Sequence, residues 1–355
     1  MQRWIFDQIE LIGTLARMHT KEIKKPEFDN VFSDISNLPS YQDILTECLF
    51  EKKIGITLTD EKTAGYAAIA AAECYRRLGK KKQAILNTKF SIECFTEIGN
   101  KSGIALAYWE KGTIHRHEAD YFKAIKELNK SYLLSKQSGD VDISVYSLAG
   151  VAETTRILGY YDISIKQHNE VYNLFQKLND YRGIVWALEG IAQIQKNRDM
   201  PHMSLKLFIE ASKIAKSIGD LRGLAYALKG IGGILALYRN YEMALKQTRE
   251  SIKIFKLINY PVGQGFSMIT AADIHRRKGS YGASINFYEQ AIDIFESISD
   301  RRGLAFANYE LGKLWLDLDF ELLAIAALIK ARRLFQENLL SKYVAKIDFL
   351  EQKHW

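Results

Sequence analysis

The stretch Asn179-Asp180-Tyr181-Arg182-Gly183 decides the fold, because variants of it return at intervals of forty residues. The variants are Gly99-Asn100-Lys101-Ser102-Gly103, Gly139-Asp140, Gly219-Asp220-Leu221-Arg222-Gly223, Asn259-Tyr260-Pro261-Val262-Gly263 and Ser299-Asp300-Arg301-Arg302-Gly303. A fixed period of about 20–50 residues is typical of arrays whose units bury their apolar faces against each other. We therefore expect one elongated array and not the pair of globular domains that the length alone suggests.

Each unit is predicted to hold two helices. In the unit that begins at Asp220 they run from Gly223 to about Tyr238 and from Tyr241 to about Leu257. Superposing the units in forty-residue steps gives a small row in the first helix, a second small row in the second helix and a late phenylalanine row. These rows are Ala72, Gly112, Ala152, Ala192, Gly232, Ala272 and Gly312; Ala84, Ala124, Ser164, Ser204, Ala244, Ser284 and Ala324; and Phe95, Phe175, Phe255, Phe295 and Phe335. Small residues facing each other let two helices approach closely, and larger rows fill the remaining space.

The turns between helices carry capping signals. Gly79, Gly159 and Gly279 stand where a first helix must stop, as a left-handed C-cap requires. The Asn or Asp of the repeated turn fits the N-cap of the next unit.

These rows and the Gly-Asp-x-x-Gly turn resemble the tetratricopeptide repeat, in the forty-residue variety of Pins-type polarity adaptors. The resemblance covers about 60–340, seven units. It implies an all-α fold: a right-handed superhelical solenoid of antiparallel helix pairs with a concave groove, in which about seven repeats complete one turn. The Pins-type unit carries a peptide-binding Asn after the small residue, and this chain has Glu73, Thr113, Glu153, Gln193, Gly233, Asp273 and Lys313 there. Peptide clamping of that type therefore cannot be transferred residue by residue.

Three segments are expected along the chain. Residues 1–59 hold capping helices and a degenerate repeat, with helices from Arg3 to about Thr20 and from Tyr41 to about Lys53. Residues 60–339 hold the seven regular repeats, and 340–355 a terminal capping helix from Lys342 to Gln352. Atypical ends are what an array needs to cover its outermost units.

Composition narrows the class of protein only a little. The net charge of +7 and the pI near 9.0 favour acidic partners weakly. Three cysteines, Cys48, Cys74 and Cys94, have no metal-binding spacing and are too few for a disulfide framework, which predicts reduced thiols in a cytoplasmic protein. The N-terminus is a poor secretory signal. The sequence contains no apolar run of about 18 residues, so we expect no membrane span.

Two rows are expected on the concave side of the first helices. The aromatic row is Tyr66, Leu106, Tyr146, Trp186, Tyr226, Phe266 and Phe306, and it either packs between first helices or lines the groove. The cationic row is Arg76, Arg116, Arg156, Lys196, Ala236, Arg276 and Leu316. Three of its members have an acid three residues earlier and could form solvated intrahelical pairs, while Arg116 and Lys196 lack one. One cation per repeat would suit an extended acidic segment, because guanidinium groups hold carboxylates well.

The fifth unit adds a candidate pocket. Gly233 and Ala236 replace larger residues beside Tyr226 and Lys229, which either relieves crowding or widens the groove. Such an aromatic-walled pocket would also suit a small molecule. The full predicted groove is Tyr66, Arg76, Trp109, Arg116, Tyr146, Glu153, Arg156, Trp186, Glu189, Gln193, Lys196, Tyr226, Lys229, Phe266, Arg276, Phe306 and Tyr309.

No motif in the sequence predicts a reaction. His115 and His275 are interpreted as histidines at the edge of the core, and neither a metal nor a cofactor is expected. Glu153 and Glu189 are weak candidates for acid–base catalysis. The chain is therefore not expected to be an enzyme, and catalysis by these two carboxylates is kept as an alternative.

The leading hypothesis is an interaction protein or scaffold that binds an extended, acidic peptide segment of a partner in the groove. The alternatives are a receptor for a small molecule or a short peptide, as in bacterial pheromone receptors with similar repeats, or an unusual enzyme. RNA binding along the cations is the least favoured.

Overall fold

The computed structural model describes residues 41–354, and the predicted helix from Arg3 to Thr20 lies outside this range. The described residues form sixteen α-helices joined by short turns. They are α1 (Tyr41–Thr57), α2 (Glu61–Arg77), α3 (Lys81–Glu97), α4 (Lys101–His117), α5 (Tyr121–Ser138), α6 (Val141–Leu158), α7 (Tyr161–Lys177), α8 (Tyr181–Asn197), α9 (Pro201–Ser217), α10 (Leu221–Leu237), α11 (Tyr241–Leu257), α12 (Pro261–Lys278), α13 (Tyr281–Ser297), α14 (Arg301–Asp317), α15 (Glu321–Glu337) and α16 (Ser341–His354). The even-numbered helices from α2 to α14 are the first helices of the seven repeats.

The turn residues cap the helices as the sequence predicts. The side chains of Asn100, Asp180, Asp220 and Asp300 each accept a hydrogen bond from the backbone N–H of the glycine three residues later. Each cap satisfies a donor at the helix start that has no partner within the helix. Gly79, Gly159 and Gly279 adopt φ of 75°, 94° and 82°, the left-handed conformation that ends a helix.

Close contact of the two small rows joins the helices of each repeat. The alanines of both rows are fully buried. Ser164 and Ser284 donate hydrogen bonds to the backbone carbonyls of Ala152 and Ala272, at 2.9 and 2.8 Å. A hydroxyl can reach a carbonyl on the facing helix only when the two backbones are close, so the small rows set the distance between the helices.

The phenylalanine row joins each repeat to the next. Phe95 is fully buried between Gly65 of its own repeat and Gly103 of the following one. A Cβ on Gly103 would lie 2.5 Å from the Phe95 ring, well inside van der Waals contact. Gly183, Gly263 and Gly303 lie equally close to Phe175, Phe255 and Phe295. The glycine of the repeated turn is therefore required as space for the ring, whereas the cap hydrogen bond needs only a backbone N–H, which Thr63 and Ile143 supply in other repeats.

The solenoid curves until its second turn contacts its first. Lys81 Nζ donates to the backbone carbonyl of Ser299 at 3.0 Å, 218 residues away in sequence. Lys342 Nζ donates to the Tyr161 hydroxyl at 2.7 Å, across 181 residues. One superhelical turn is thus complete after about five forty-residue units, whereas the family resemblance implied about seven. The curvature encloses the concave side as a central cavity.

Both ends of the described chain are helical. Helix α1 extends to Thr57, four residues beyond the predicted end, and α16 begins at Ser341 and packs Tyr343 against Phe335 with ring centroids 5.0 Å apart. The division into segments 1–59, 60–339 and 340–355 stays a prediction. Between residues 41 and 354, no helix combines the length and apolar character that crossing a membrane requires.

Candidate functional site: a central cationic cavity

The cavity lies on the concave side of the first helices and has a volume of about 490 Å³. This volume is within the range of about 300–1,000 Å³ that is typical of ligand sites. Fourteen of the seventeen predicted groove residues line it, and the exceptions are Tyr66, Tyr146 and Arg276. Residues from distant repeats therefore share one space, as the predicted inward orientation of the first helices requires.

The aromatic row both packs and lines the cavity. Its rings contact the phenylalanine row edge-on: Tyr226 lies 4.9 Å from Phe255, and Phe266 5.0 Å from Phe295, between ring centroids. Trp186, Tyr226, Phe266 and Phe306 also reach the cavity. The two interpretations of this row are thus both satisfied at four of its seven positions.

Tyr66 and Tyr146 were expected in the groove and instead lie within the helix packing. The Tyr66 ring contacts Phe95 at 4.7 Å. Tyr146 is buried between Phe175 and Trp186, and its hydroxyl lies 2.5 Å from Asp180 Oδ2. Its neighbour Trp109 faces the cavity and donates from Nε1 to the Tyr146 carbonyl at 3.1 Å.

The cationic row divides into paired and unpaired members. Arg156 binds Glu153 through two hydrogen bonds of 2.7 and 2.6 Å. Arg276 is held between Asp273 and Asp317, which keeps it away from the cavity. The sequence allowed the pairs between each cation and the acid three residues earlier to be solvated. In the first repeat the pair Arg76–Glu73 is buried instead.

Arg76 and Glu110 form a buried ion pair between repeats. Arg76 Nε donates to Glu110 Oε1 at 2.7 Å, with side-chain exposures of 4% and 0%. Arg76 also contacts Glu73 at 3.3 Å, and Glu73 in turn binds Arg77 at 2.6 Å. Burial raises the pKa of Glu110 to about 7, and Arg76 opposes this rise. Such a desolvated network fixes the position of Arg76 at the cavity wall.

Arg116, Lys196 and Lys229 form no ion pair with a carboxylate anywhere in residues 41–354. Arg116 is buried, lies 5.6 Å from the Trp186 ring centroid, and its Nη1 has no hydrogen-bond partner. Burial lowers the pKa of Arg116 to about 10. Lys229 lies over the Tyr226 ring at 5.0 Å, and burial together with Lys196 lowers its pKa to about 8. An unpaired cation that is buried is costly, so Arg116 and the half-buried Lys229 are the stronger candidates for holding a ligand, whereas Lys196 is exposed.

The two candidate catalytic carboxylates have opposite electrostatic environments. Burial alone would raise the pKa of Glu153, but the ion pair with Arg156 lowers it to about 2. Burial raises the pKa of Glu189 well above its ordinary value, and its buried Oε1 has no hydrogen-bond partner. Glu153 is therefore an anion that is already paired, whereas the surroundings of Glu189 favour its protonated form, which can donate a hydrogen bond.

The predicted widening in the fifth repeat lies outside the cavity wall. A Cβ on Gly233 would lie 3.4 Å from Lys196 Nζ, and Ala236 is buried. The space beside Gly233 is therefore next to the Lys196 amine, whereas Ala236 packs with Leu245 and Ile274. The other residues expected around this position, among them Trp186, Glu189 and Gln193, do line the cavity.

Further cavity residues were missed from the sequence. The first helices add Arg77 and His117, the repeat turns add Arg222, Arg302 and Tyr260, and the closing contacts add Tyr161, Lys342, Tyr343 and Lys346. Arg222 and Arg302 were visible as the fourth residue of the repeated turn, next to the glycine. The residues of α16 had no such signal, because only the closure of the superhelix brings them to the site.

In the described part of the chain no cluster of three His, Cys, Asp or Glu residues could hold a metal ion.

Comparison with known proteins places this architecture among helical repeat proteins. No family model matches the chain, and no curated protein matches it. Solved structures do: a Rap conjugation gene regulator of the plasmid pLS20 in complex with the Phr* peptide has a TM-score of 0.63 at 11% identity, covering 94% of both chains. NprR in complex with its cognate peptide NprX has a TM-score of 0.61 at 14% identity, covering 91% of this chain and 99% of that one. A Rap protein complexed with competence and sporulation factor gives 0.59 at 14% identity, with coverage of 92% and 98%. At these identities the similarity shows the fold alone, which is a TPR-like superhelical solenoid.

Proposed function

We propose that this protein is a receptor for a short peptide, which it holds in the central cavity through carboxylate groups. The observation that carries the proposal is the set of cavity cations without a carboxylate partner in the described chain, Arg116, Lys196 and Lys229. The buried guanidinium of Arg116 gains most from an anionic partner that is itself shielded from water, the half-buried Lys229 gains less, and the exposed Lys196 gains least.

The shape of the site supports a short segment over a long one. The cavity of about 490 Å³ is walled on one side by first helices and on the other by residues of α7 and α16, which meet where the superhelix closes. A long extended segment would need a groove that stays open along its whole length, without these closing residues. Three structural neighbours, the two Rap proteins and NprR, were solved with bound peptides, which supports the same class of ligand here.

We extend the proposal to the variety of the repeat, the cellular setting and a role as a scaffold. The turn and row patterns support the Pins-type variety of the repeat, and three buried free cysteines support a reducing, cytoplasmic setting. A role as a scaffold would require a second binding surface in addition to the cavity.

A small molecule is the second candidate ligand. Its support is the mixture of aromatic walls, such as Trp186 and Phe266, with a few polar groups, such as Gln193 and Glu189, in one enclosed volume. RNA is less well supported, because the cations without a carboxylate partner line the concave cavity and the net charge of +7 is modest.

The test is affinity capture from a synthetic pool of random hexapeptides, with bound peptides identified by mass spectrometry. The test variant is Arg116→Gln/Lys196→Gln/Lys229→Gln, which leaves the Arg156–Glu153 pair intact. The matched control removes three exposed cations from the second helices α7, α9 and α11: Lys166→Gln/Lys206→Gln/Lys246→Gln. We expect acidic peptides to be enriched by the wild type and the control and lost from the test variant. Equal enrichment by all three proteins, or none by the wild type, would reject the proposal.

A further inference from the structure

Four arginines converge at one end of the cavity, and we call them the arginine cluster: Arg77, Arg116, Arg222 and Arg302. They come from four different helices: the ends of α2 and α4 and the starts of α10 and α14. All four line the cavity. The superhelical closure therefore assembles the cluster, since no single repeat contains more than one of these residues.

Two members of the cluster, Arg77 and Arg222, lie near Tyr260. Arg77 lies over the Tyr260 ring with its guanidinium carbon 5.1 Å from the centroid. The Tyr260 hydroxyl accepts a hydrogen bond from the Tyr226 hydroxyl at 3.4 Å. Burial alone would raise the pKa of Tyr260, but Arg77 and Arg222 lower it below its ordinary value. The arginines thus create a positive potential at this point, which attracts an anion.

Two guanidinium nitrogens in the cluster are buried without a partner. They are Nη1 of Arg77 and Nη1 of Arg116, whose residues are 3% and 9% exposed. The other nitrogens of Arg77 are occupied by Glu73, at 3.2 and 2.6 Å. A buried donor without an acceptor costs free energy in the unliganded protein, and an acceptor brought by a ligand removes that cost.

The nearby carboxylates are already occupied. Glu73 holds Arg76 and Arg77, and Glu110 holds Arg76. Asp220 and Asp300, beside Arg222 and Arg302, each accept the backbone N–H that caps their own helix. The cluster therefore carries more positive charge than its protein neighbours neutralise.

From this geometry we infer that the arginine cluster is a subsite for one carboxylate of the ligand, and this inference rests on the proposed peptide receptor. The planar fork of a guanidinium matches a carboxylate with two parallel hydrogen bonds. The carboxylate comes either from the C-terminus of the peptide or from an Asp or Glu side chain. The remaining cations, Lys196 and Lys229, also line the cavity and are available to the rest of the ligand. Glu189 lies near both Arg222 and Lys229.

The experiment measures the affinity of one captured hexapeptide in three forms: unmodified, with a C-terminal amide, and with each Asp or Glu replaced by Asn or Gln. The proteins are the wild type, Arg116→Gln and the control Arg249→Gln, which alters an exposed arginine of α11. We expect Arg116→Gln to weaken the unmodified peptide about 10–100-fold, since charged hydrogen bonds contribute roughly 1.5–3 kcal/mol. We expect the same variant to have no effect on whichever neutralised form has lost the bound carboxylate, and this form identifies the source. If Arg116→Gln weakens all three forms equally, or none, the subsite assignment is wrong while the peptide receptor stands.

A second measurement tests the subsite without any peptide. Thermal unfolding is followed in increasing sodium succinate, with sodium chloride at the same ionic strength as the reference. We expect succinate to raise the midpoint of the wild type and of Arg249→Gln, and to have no specific effect on Arg116→Gln. Arg116→Lys, which keeps the charge but loses the fork, should retain part of the effect and shows that loss is not due to misfolding. An absent succinate effect in the wild type, or a larger effect from inorganic phosphate, would overturn the assignment to a carboxylate.

Discussion

Two adjacent glycines in α10, Gly232 and Gly233, should respond in opposite directions to the same substitution. Gly232 belongs to the small row that contacts the second helix of its repeat. A Cβ built there would lie 2.2 Å from Thr248 Oγ1 and 3.0 Å from the backbone carbonyl oxygen of Ala244. Gly233 points the other way, where the nearest atom is the flexible Lys196 Nζ at 3.4 Å. Only the first site lacks room for a methyl group.

The magnitudes follow from three terms. Glycine in a helix interior costs about 1 kcal/mol relative to alanine, so both substitutions gain this amount. At Gly232 the Thr248 hydroxyl must rotate and give up its hydrogen bond to the Ala244 carbonyl, 2.9 Å long, a loss of about 1 kcal/mol. The backbone oxygen cannot rotate, so the two helices must also separate, and overpacking of this type costs about 1–3 kcal/mol. We expect Gly232→Ala to lower the free energy of unfolding by about 1–3 kcal/mol and Gly233→Ala to raise it by about 0.5–1 kcal/mol.

The assay is urea unfolding followed by circular dichroism at 222 nm, for the wild type and both variants in the same buffer. Equal helix content before unfolding shows that each variant is folded. The reasoning fails if Gly232→Ala is as stable as the wild type, or if Gly233→Ala is the less stable of the two. Either result would mean that the distance between α10 and α11 is not set by the small row.

Four further outcomes are expected. Glu110→Ala should lower the free energy of unfolding by about 1–3 kcal/mol in urea unfolding, because it removes the shorter of the two carboxylate contacts of the buried Arg76 and leaves only Glu73 at 3.3 Å. Arg116→Met should raise the urea midpoint of the unliganded protein at pH 7, since burial disfavours the charged guanidinium; a lower midpoint would show that Arg116 stabilises the fold. Glu189 has a raised pKa in the folded state, so the wild type should lose stability as the pH rises from about 4.5 toward that pKa. The variant Glu189→Gln should not show this loss. Urea midpoints that change in parallel for the two proteins between pH 4 and 9 would contradict this expectation. Removal of α16 by a stop codon at Ser341 should lower the midpoint and expose the Phe335 ring, which a fluorescent apolar dye would report.

The sequence was sufficient for the parts of this protein that depend on contacts within one or two repeats. The repeated turn predicted the caps at Asp180 and Asp220, and the rows predicted the buried alanines and Phe95. These features recur at a fixed period because each repeat meets the same local environment. The fold class follows from them directly.

The arrangement of the cavity depends on longer distances and was less predictable. Tyr66 and Arg276 have the periodicity of the groove rows, yet the first packs on Phe95 and the second is held by Asp273 and Asp317. Lys342 and Tyr343 belong to no repeat row and reach the cavity only because the solenoid closes. Periodicity fixes which face of a helix points inward, but the curvature of the array decides which inward residues meet.

The contact between the first and second superhelical turns also limits how this protein can change in length. Repeat arrays usually gain or lose whole units freely, since each unit contacts only its neighbours. Here, inserting forty residues between Lys81 and Ser299 would carry one partner about a fifth of a turn past the other, and the Lys342–Tyr161 contact would separate in the same way. Duplication of a unit, the ordinary route by which solenoids grow, would therefore open the ring and disperse the arginines that it gathers.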